Sequence, residues 1–170
     1  MILGMSTSTF TLLHVVLSLV GIGAGLVVLV GLFGSKSLEG WAATFLATTV
    51  LTSVTGFFFP RDQILPSHIV GIVSLVALVG AMLALYGYRL AGSWRWVYVV
   101  GAVLSLYLNV FVLFAQAFQK VPFLNALAPK QSDPPFIVTQ LVVMAVFVLV
   151  GTKAFKSFHP QASTPALRPL

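Results

Sequence analysis

Charge is what this chain has least of. It carries nine basic and three acidic side chains among 170 residues, which is 7%, while 59% of its residues are hydrophobic. A water-soluble domain carries charge on about a quarter of its residues, because its surface has to be solvated. With a mean hydropathy of +1.06, this chain cannot cover itself against water. The composition therefore excludes a soluble globular domain and predicts a surface that faces lipid.

Cysteine is absent, which excludes disulfides, thiolate metal sites and thiol redox chemistry. The sequence also lacks a nucleotide-binding loop, a catalytic serine motif, an HExxH motif and a pair of carboxylates. The net charge of +6 comes from basic residues that are spread over separate polar segments, so they form no patch for nucleic acid. The sequence thus shows none of these catalytic motifs, and we expect no nucleic-acid partner.

Apolar runs are abundant. A helix needs about 20 apolar residues to cross the hydrocarbon core of a membrane. Five stretches meet this requirement, and they predict an all-α integral membrane bundle of five transmembrane helices within a single domain, residues 1–158. The predicted spans are about 10–33, 41–59, 68–90, 94–118 and 135–155. The remaining residues, 159–170, contain three prolines and no apolar periodicity, and predict a disordered cytoplasmic tail.

The distribution of basic residues predicts the direction of the spans. Cytoplasmic loops carry the excess of Lys and Arg. With the N-terminus outside, six basic residues fall in inner segments and three in outer segments. All three tryptophans also fall at inner span ends, where indole rings prefer to lie. We therefore predict an outside N-terminus and an inside C-terminus.

Polar residues inside the spans follow helical faces. Gly21 and Gly25 form a GxxxG pattern in span one, which serves either helix packing or a dimer face. Threonines recur along one side of span two, either as interhelical contacts or as the lining of a polar path. In span four, Asn109, Gln116 and Lys120 share one face, and a mid-membrane asparagine cannot face lipid without unpaired amide groups. Asn109 is therefore predicted to face the interior of the bundle.

The outer ends of the spans collect most of the other polar groups. The stretch FFFPRDQILPSH, residues 57–68, is predicted to be the outer loop between spans two and three. Ionisable groups at membrane depth are functional hypotheses by default. We predict one outward-facing polar pocket, roofed by the loop 119–135, that binds an anionic or hydrogen-bonding ligand. Its predicted ligand-binding residues are His14, Arg61, His68, Asn109, Gln116, Gln119, Lys120 and Gln140.

Two segments carry a resemblance. The strings TGFFFPRDQILPSHIVGIVSL (55–75) and QAFQKVPFLNALAPKQSDPPFIVTQLVV (116–143) resemble those of small uncharacterised polytopic inner-membrane proteins of bacteria. The resemblance covers about a third of the chain. It implies a multi-pass protein of the bacterial inner membrane, and it implies no activity.

The sequence is compatible with three functions. The first is a non-enzymatic membrane protein, either an accessory or assembly subunit or a small-ligand binder, with membrane lipids, other membrane subunits or a second copy as partners. No cofactor is expected in that case. The second is a redox subunit in which His14 and His68 ligate a b-type haem as metal ligands, or hold a quinone. The third is a small transporter or proton conductor that uses the stripe from Asn109 to Gln116.

Overall fold

The computed structural model describes residues 2–59 and 66–159, and it is built from helices. Each predicted span corresponds to a helix. We number the helices α1 to α6 along the chain: α1 Thr7–Phe33, α2 Glu39–Gly56, α3 Pro66–Met82, α4 Trp94–Lys120, α5 Pro122–Leu127 and α6 Pro134–Ser157. A π-helical turn, Leu83–Gly87, extends α3. Arg61 and the segment 160–170, which holds most of the predicted disordered tail, lie outside the described residues.

Four of these helices are long and apolar enough to cross a membrane: Thr7–Phe33, His68–Gly87, Trp94–Lys120 and Pro134–Ser157. The chain is thus an all-helical protein with four candidate membrane spans, which makes it a multi-pass membrane protein by length and composition. The fifth predicted span, α2, has 18 residues, begins at Glu39 and contains several hydroxyl side chains.

Local signals account for where the helices begin and end. The Ser6 side chain accepts a hydrogen bond from the backbone N–H of Thr9 at 3.1 Å and so caps α1. Two prolines occupy the first turn of α6, where no backbone N–H is needed for the helix. The connection between α3 and α4 is tight and passes through positive φ angles at Arg89, Leu90 and Gly92.

Helix α4 lies at the centre of the bundle and packs against α1, α2, α3, α5 and α6. Its closest approach is to α3: a Cβ atom added at Gly101 would lie 2.7 Å from the backbone oxygen of Ala77. A side chain of any size would push the two helices apart at this point. Small residues therefore set the distance between α3 and α4, as expected where lipid provides no hydrophobic drive for association.

Hydrogen bonds join two chain segments at one end of the bundle, which we call the Lys36 end. The Ser35 hydroxyl donates to the backbone oxygen of Ser157 at 2.8 Å and accepts from the backbone N–H of His159 at 3.1 Å. These bonds join the α1–α2 loop to the end of α6. The opposite end, at the C-terminus of α4, is the Lys120 end.

The long connection before α6 folds back onto α4. The helix α5 lies within it, and Ala128 behind α5 is buried against Phe118 and Phe136, whose rings meet edge to face at 5.5 Å. Phe118 lies nine residues beyond Asn109, which places it about 180° round α4 from that side chain. The buried contact of the 119–135 segment is thus on the face of α4 opposite the polar stripe, whereas the sequence predicts a roof over that stripe.

Candidate functional site

A polar contact between three helices lies in the middle of the bundle. The Asn109 side chain is only 8% exposed, as its predicted interior position requires, and its Nδ2 donates to Thr49 Oγ1 at 3.4 Å. Gly21 of α1 closes the group, because a Cβ atom there would lie 3.1 Å from the Thr49 hydroxyl and 3.4 Å from Asn109 Nδ2. The contact joins α2 to α4 and holds α1 against both.

Apolar side chains fill the bundle immediately below this contact, toward the Lys36 end. Phe45 and Leu106 are each 1% exposed, and both lie within 2.9 Å of the position that a Cβ atom would take at Gly25. We call the level of the pair Thr49–Asn109 the floor of the polar region. Below it, on the same face of α4, Ser105 and Tyr98 are fully buried, and their hydroxyls have no hydrogen-bond partner within the described residues.

Thr52 lies one turn above this floor, toward the Lys120 end. It is 8% exposed, and its hydroxyl has no hydrogen-bond partner within the described residues. The other threonines on this side of α2, Thr44, Thr48 and Thr55, each donate to a carbonyl of their own helix. Along α2, the direction of Thr52 lies between that of Thr48, which faces α1, and that of Thr49, which faces α4. Its hydroxyl is a buried donor and acceptor without a partner in the described part of the chain, as are the hydroxyls of Ser105 and Tyr98 on α4.

His14 and Thr55 lie two turns above the floor and connect α1 with α2. The His14 Nδ1 atom is 2.8 Å from Thr55 Oγ1, and the Thr55 hydroxyl donates its single proton to the backbone oxygen of Leu51 at 2.7 Å. The tautomer with the proton on Nδ1 lets Thr55 accept from His14 and keep its own bond to Leu51. In that tautomer the lone pair of the ring lies on Nε2.

Aromatic rings pack against the histidine. The ring of Phe59 meets His14 edge to face with centroids 5.2 Å apart, and it meets Phe10 at the same distance. Phe10 itself is 1% exposed. These contacts fix the imidazole plane, so that the direction of Nε2 is set by packing as well as by the bond to Thr55.

Gln116 and Lys120 reach the same region from α4. Gln116 lies seven residues beyond Asn109, on the same face to within about 20° and about 10 Å nearer the Lys120 end. Its side chain is half-buried and makes no hydrogen bond within the described residues. Lys120, one turn further, is exposed.

The exposure of α4 rises along this face. Asn109 is 8% exposed, whereas Leu113, one turn nearer the Lys120 end, is 38% exposed. Exposure along this face is therefore lowest at the floor and higher toward the Lys120 end. We call this region the polar cleft, and define it by a list of its residues: Thr49 and Asn109 at the floor, with Thr52, His14, Thr55, Gln116 and Lys120 above them.

The remaining predicted residues lie elsewhere. Gln140 is buried, and its Nε2 donates to the backbone oxygen of Phe111 at 3.1 Å. Phe111 is about 200° round α4 from Asn109, so this contact belongs to the α4–α6 interface. Gln119 is exposed beside α5, where its backbone oxygen accepts from Asn125 at 3.5 Å.

His68 lies near the start of α3 and packs against the ring of Phe57, with centroids 5.6 Å apart. His14 packs against Phe59, two residues further along the same segment. The histidines thus contact different rings at the end of α2. Within the described residues there is no group of three or more His, Asp or Glu side chains that could hold a metal ion.

The sequence prediction omitted Thr52 and Thr55 from the pocket. The available signal was their position on the threonine face of α2, combined with the depth of His14 on α1. That signal does not distinguish Thr52, whose hydroxyl is unpaired, from the threonines that bond to their own helix. Only the packing of α2 against α1 and α4 shows which threonine hydroxyls are buried and which have a partner.

Comparison of the chain with protein-family models, with curated proteins and with solved structures gives no match in any of the three. The class that the fold and the cleft define is an all-helical multi-pass membrane protein, and its function has to be argued from the cleft.

Proposed function

We propose that the protein crosses the membrane five times and binds a small polar ligand in the polar cleft, without catalysing a reaction. Helix α2 is the fifth span in this proposal. Its 18 residues rise about 27 Å, close to the roughly 30 Å of a hydrocarbon core. The hydroxyls of Thr44, Thr48 and Thr55 bond to carbonyls of their own helix, which suits a lipid environment.

The proposed orientation is N-terminus outside and C-terminus inside. Its support is that most of the basic residues belong to segments at the Lys36 end, which would be cytoplasmic by the excess of positive charge. The Lys120 end, and with it the mouth of the cleft, would then face outward. We further propose a bacterial inner membrane as its location, on the resemblance of residues 55–75 and 116–143. The basic residues of the described segments at the Lys36 end are Lys36, Arg89, Arg95, Lys153 and Lys156.

The observation that carries the binding proposal is the buried hydroxyl of Thr52, which has no hydrogen-bond partner within the described residues and lies one turn below the His14–Thr55 contact. Buried polar groups without partners are costly, and proteins retain few of them without a ligand or a function that uses them. Thr52 is such a group, and the polar side chains of His14, Gln116 and Lys120 follow it toward the Lys120 end. The close packing of Phe45 and Leu106 against Gly25, below the floor, favours a binding site over a transport path.

Thermal unfolding of the purified protein tests the proposal. The protein is heated in the presence of small polar compounds of three classes: neutral, anionic and cationic. One class should raise the melting temperature, because a ligand at 100 times its Kd stabilises the folded state by about 2.7 kcal/mol. The shift should be smaller in Thr52→Val, which removes the unpaired hydroxyl at nearly constant volume.

Thr44→Val is the matched control, because Thr44 is an exposed threonine of the same helix. Its ligand-induced shift should equal that of the wild type. If no class of compound raises the melting temperature, the result contradicts the binding proposal. So does a shift that Thr52→Val leaves unchanged.

A further inference from the structure

The Lys36 end of the bundle, opposite the mouth of the cleft, collects most of the positive charge of the described chain. Its only carboxylate among the described residues is Glu39, since Asp133 lies at the start of α6 at the Lys120 end. Within residues 2–59 and 66–159, none of the basic side chains at this end forms an ion pair. Unpaired positive charge at the edge of a membrane attracts anionic headgroups. The basic residues at this end are Lys36, Arg89, Arg95, Lys153 and Lys156.

Arg95 is held in place by a stack of side chains. Its guanidinium carbon lies 4.0 Å from the centre of the Trp96 indole, and the ring of Phe155 stacks on the same indole with centroids 4.0 Å apart. One face of an indole cannot hold both groups at that distance, so they lie on opposite faces. The stack Arg95–Trp96–Phe155 therefore joins the start of α4 to the end of α6.

The guanidinium at the outside of this stack can still bind an anion. Arg95 is half-buried, and it makes no hydrogen bond within the described residues. A guanidinium presents five N–H donors in one plane, and this fork matches two oxygens of a phosphate. Contact with the indole restricts the side chain before a ligand arrives, which lowers the entropy lost on binding.

Apolar side chains continue from the stack toward the middle of the membrane. Val100 lies one turn from Trp96 on the same side of α4, and Val148 lies two turns from Phe155 on the same side of α6. Both valines are exposed. A cation above an exposed apolar surface fits an amphiphile with an anionic headgroup, whereas a soluble anion would gain nothing from the valines.

We propose that the Lys36 end binds an anionic phospholipid, with its phosphate on the Arg95 guanidinium and an acyl chain along Val100 and Val148. A zwitterionic phospholipid fits less well, because its headgroup carries a cation that the basic side chains at this end repel. The lipid touches both α4 and α6, and so it also holds α6 against the bundle. This contact matters most for α6, which is the least buried of the four candidate spans.

Tryptophan fluorescence reports on this end of the protein, because all three tryptophans, Trp41, Trp94 and Trp96, lie there. The protein is reconstituted in phosphatidylcholine vesicles that contain a small fraction of brominated phosphatidylglycerol, whose bromine atoms quench nearby indoles. Brominated phosphatidylcholine is the reference. We expect phosphatidylglycerol to bind beside the tryptophans about fivefold more tightly than phosphatidylcholine, since one basic residue near the membrane surface contributes about this factor. Equal quenching by the two lipids overturns the proposal.

Variants of Arg95 separate the stacked guanidinium from the general charge of this end. Arg95→Gln should abolish most of the preference for phosphatidylglycerol, and so should Arg95→Lys, which keeps the charge without the planar fork. Arg89→Gln is the matched control: it removes the same charge at the same end, but the neighbouring Tyr88 stacks on Trp94 and not on Trp96. It should keep the preference.

Two results from these variants contradict a site at Arg95. The first is a preference that Arg95→Lys keeps in full, because the planar fork is then not used. The second is an equal loss in Arg89→Gln and Arg95→Gln, because the charge of the whole end then attracts the lipid.

Glycerol phosphate separates a lipid from a soluble anion, because it carries a phosphate without acyl chains. An excess of it should leave quenching by brominated phosphatidylglycerol unchanged. Displacement of the lipid by glycerol phosphate would indicate a site for a soluble anion and overturn the lipid assignment. These outcomes do not depend on the polar cleft, which lies toward the opposite end of the bundle.

Discussion

Gly101 offers the sharpest test of the packing that positions the cleft. In Gly101→Ala the new Cβ would lie 2.7 Å from the backbone oxygen of Ala77 and 3.1 Å from the Cβ of Ala81, whereas ordinary contact begins at 3.4 Å. The helices α3 and α4 would have to separate by about 0.7 Å, since a backbone oxygen cannot rotate away. Overpacking of this kind costs about 1–3 kcal/mol, against a gain of about 1 kcal/mol from the better helix propensity of alanine. We expect a net loss of up to about 2 kcal/mol.

The matched control is Gly80→Ala in the same interface, where the new Cβ would meet Val97 at an ordinary 3.6 Å. This variant should be as stable as the wild type, or more stable by up to about 1 kcal/mol. The free energy of unfolding can be measured by titration with sodium dodecyl sulfate in mixed micelles, followed by circular dichroism. A Gly101→Ala variant as stable as Gly80→Ala would refute the close approach of α3 and α4.

Three further predictions concern polar groups. Asn109→Leu should lower the free energy of unfolding in the same titration by about 1 kcal/mol, because the buried Thr49 hydroxyl loses its interhelical partner. Gln140→Met should cost less stability than Asn109→Leu, since the lost bond from Nε2 to Phe111 is offset by removal of a buried Oε1 atom that has no partner within the described residues; a loss as large as that of Asn109→Leu would contradict this. An absorbance spectrum tests the haem alternative: the purified protein should be colourless, and a Soret band abolished by both His14→Ala and His68→Ala would instead establish bis-histidine ligation.

The sequence predicts the helices well because the physical signal is local. Apolar runs bounded by prolines, glycines and polar residues determine where each helix lies, and α4 begins at Trp94 as predicted. Asn109 was also predictable, since an amide at mid-span has to face the interior. The apolar signal of α2 is weaker, because its 18 residues include several hydroxyl side chains, and α2 is not among the four candidate spans.

The composition of the pocket was less predictable, because helical periodicity fixes directions within one helix and not which faces meet. Gln140 was assigned to the pocket by its depth alone, yet it contacts α4 on the side away from Asn109. Thr55 was missed for the converse reason, since its bond to His14 depends on how α1 packs against α2. The close approach at Gly101 is likewise visible only once α3 lies against α4.

Water access to the cleft is the most direct test of the account, and the cysteine-free chain suits it. Single cysteines at Gln116, Thr52 and Leu106 can be labelled with a charged, water-soluble thiol reagent on protein in lipid nanodiscs. The control is Val76→Cys, at a position that is 69% exposed and would face lipid. We expect labelling to be fast at position 116, slower at 52 and absent at 106 and 76. Labelling of position 106 as fast as 116, or no more labelling at 52 than at 76, would contradict a polar cleft closed below Asn109.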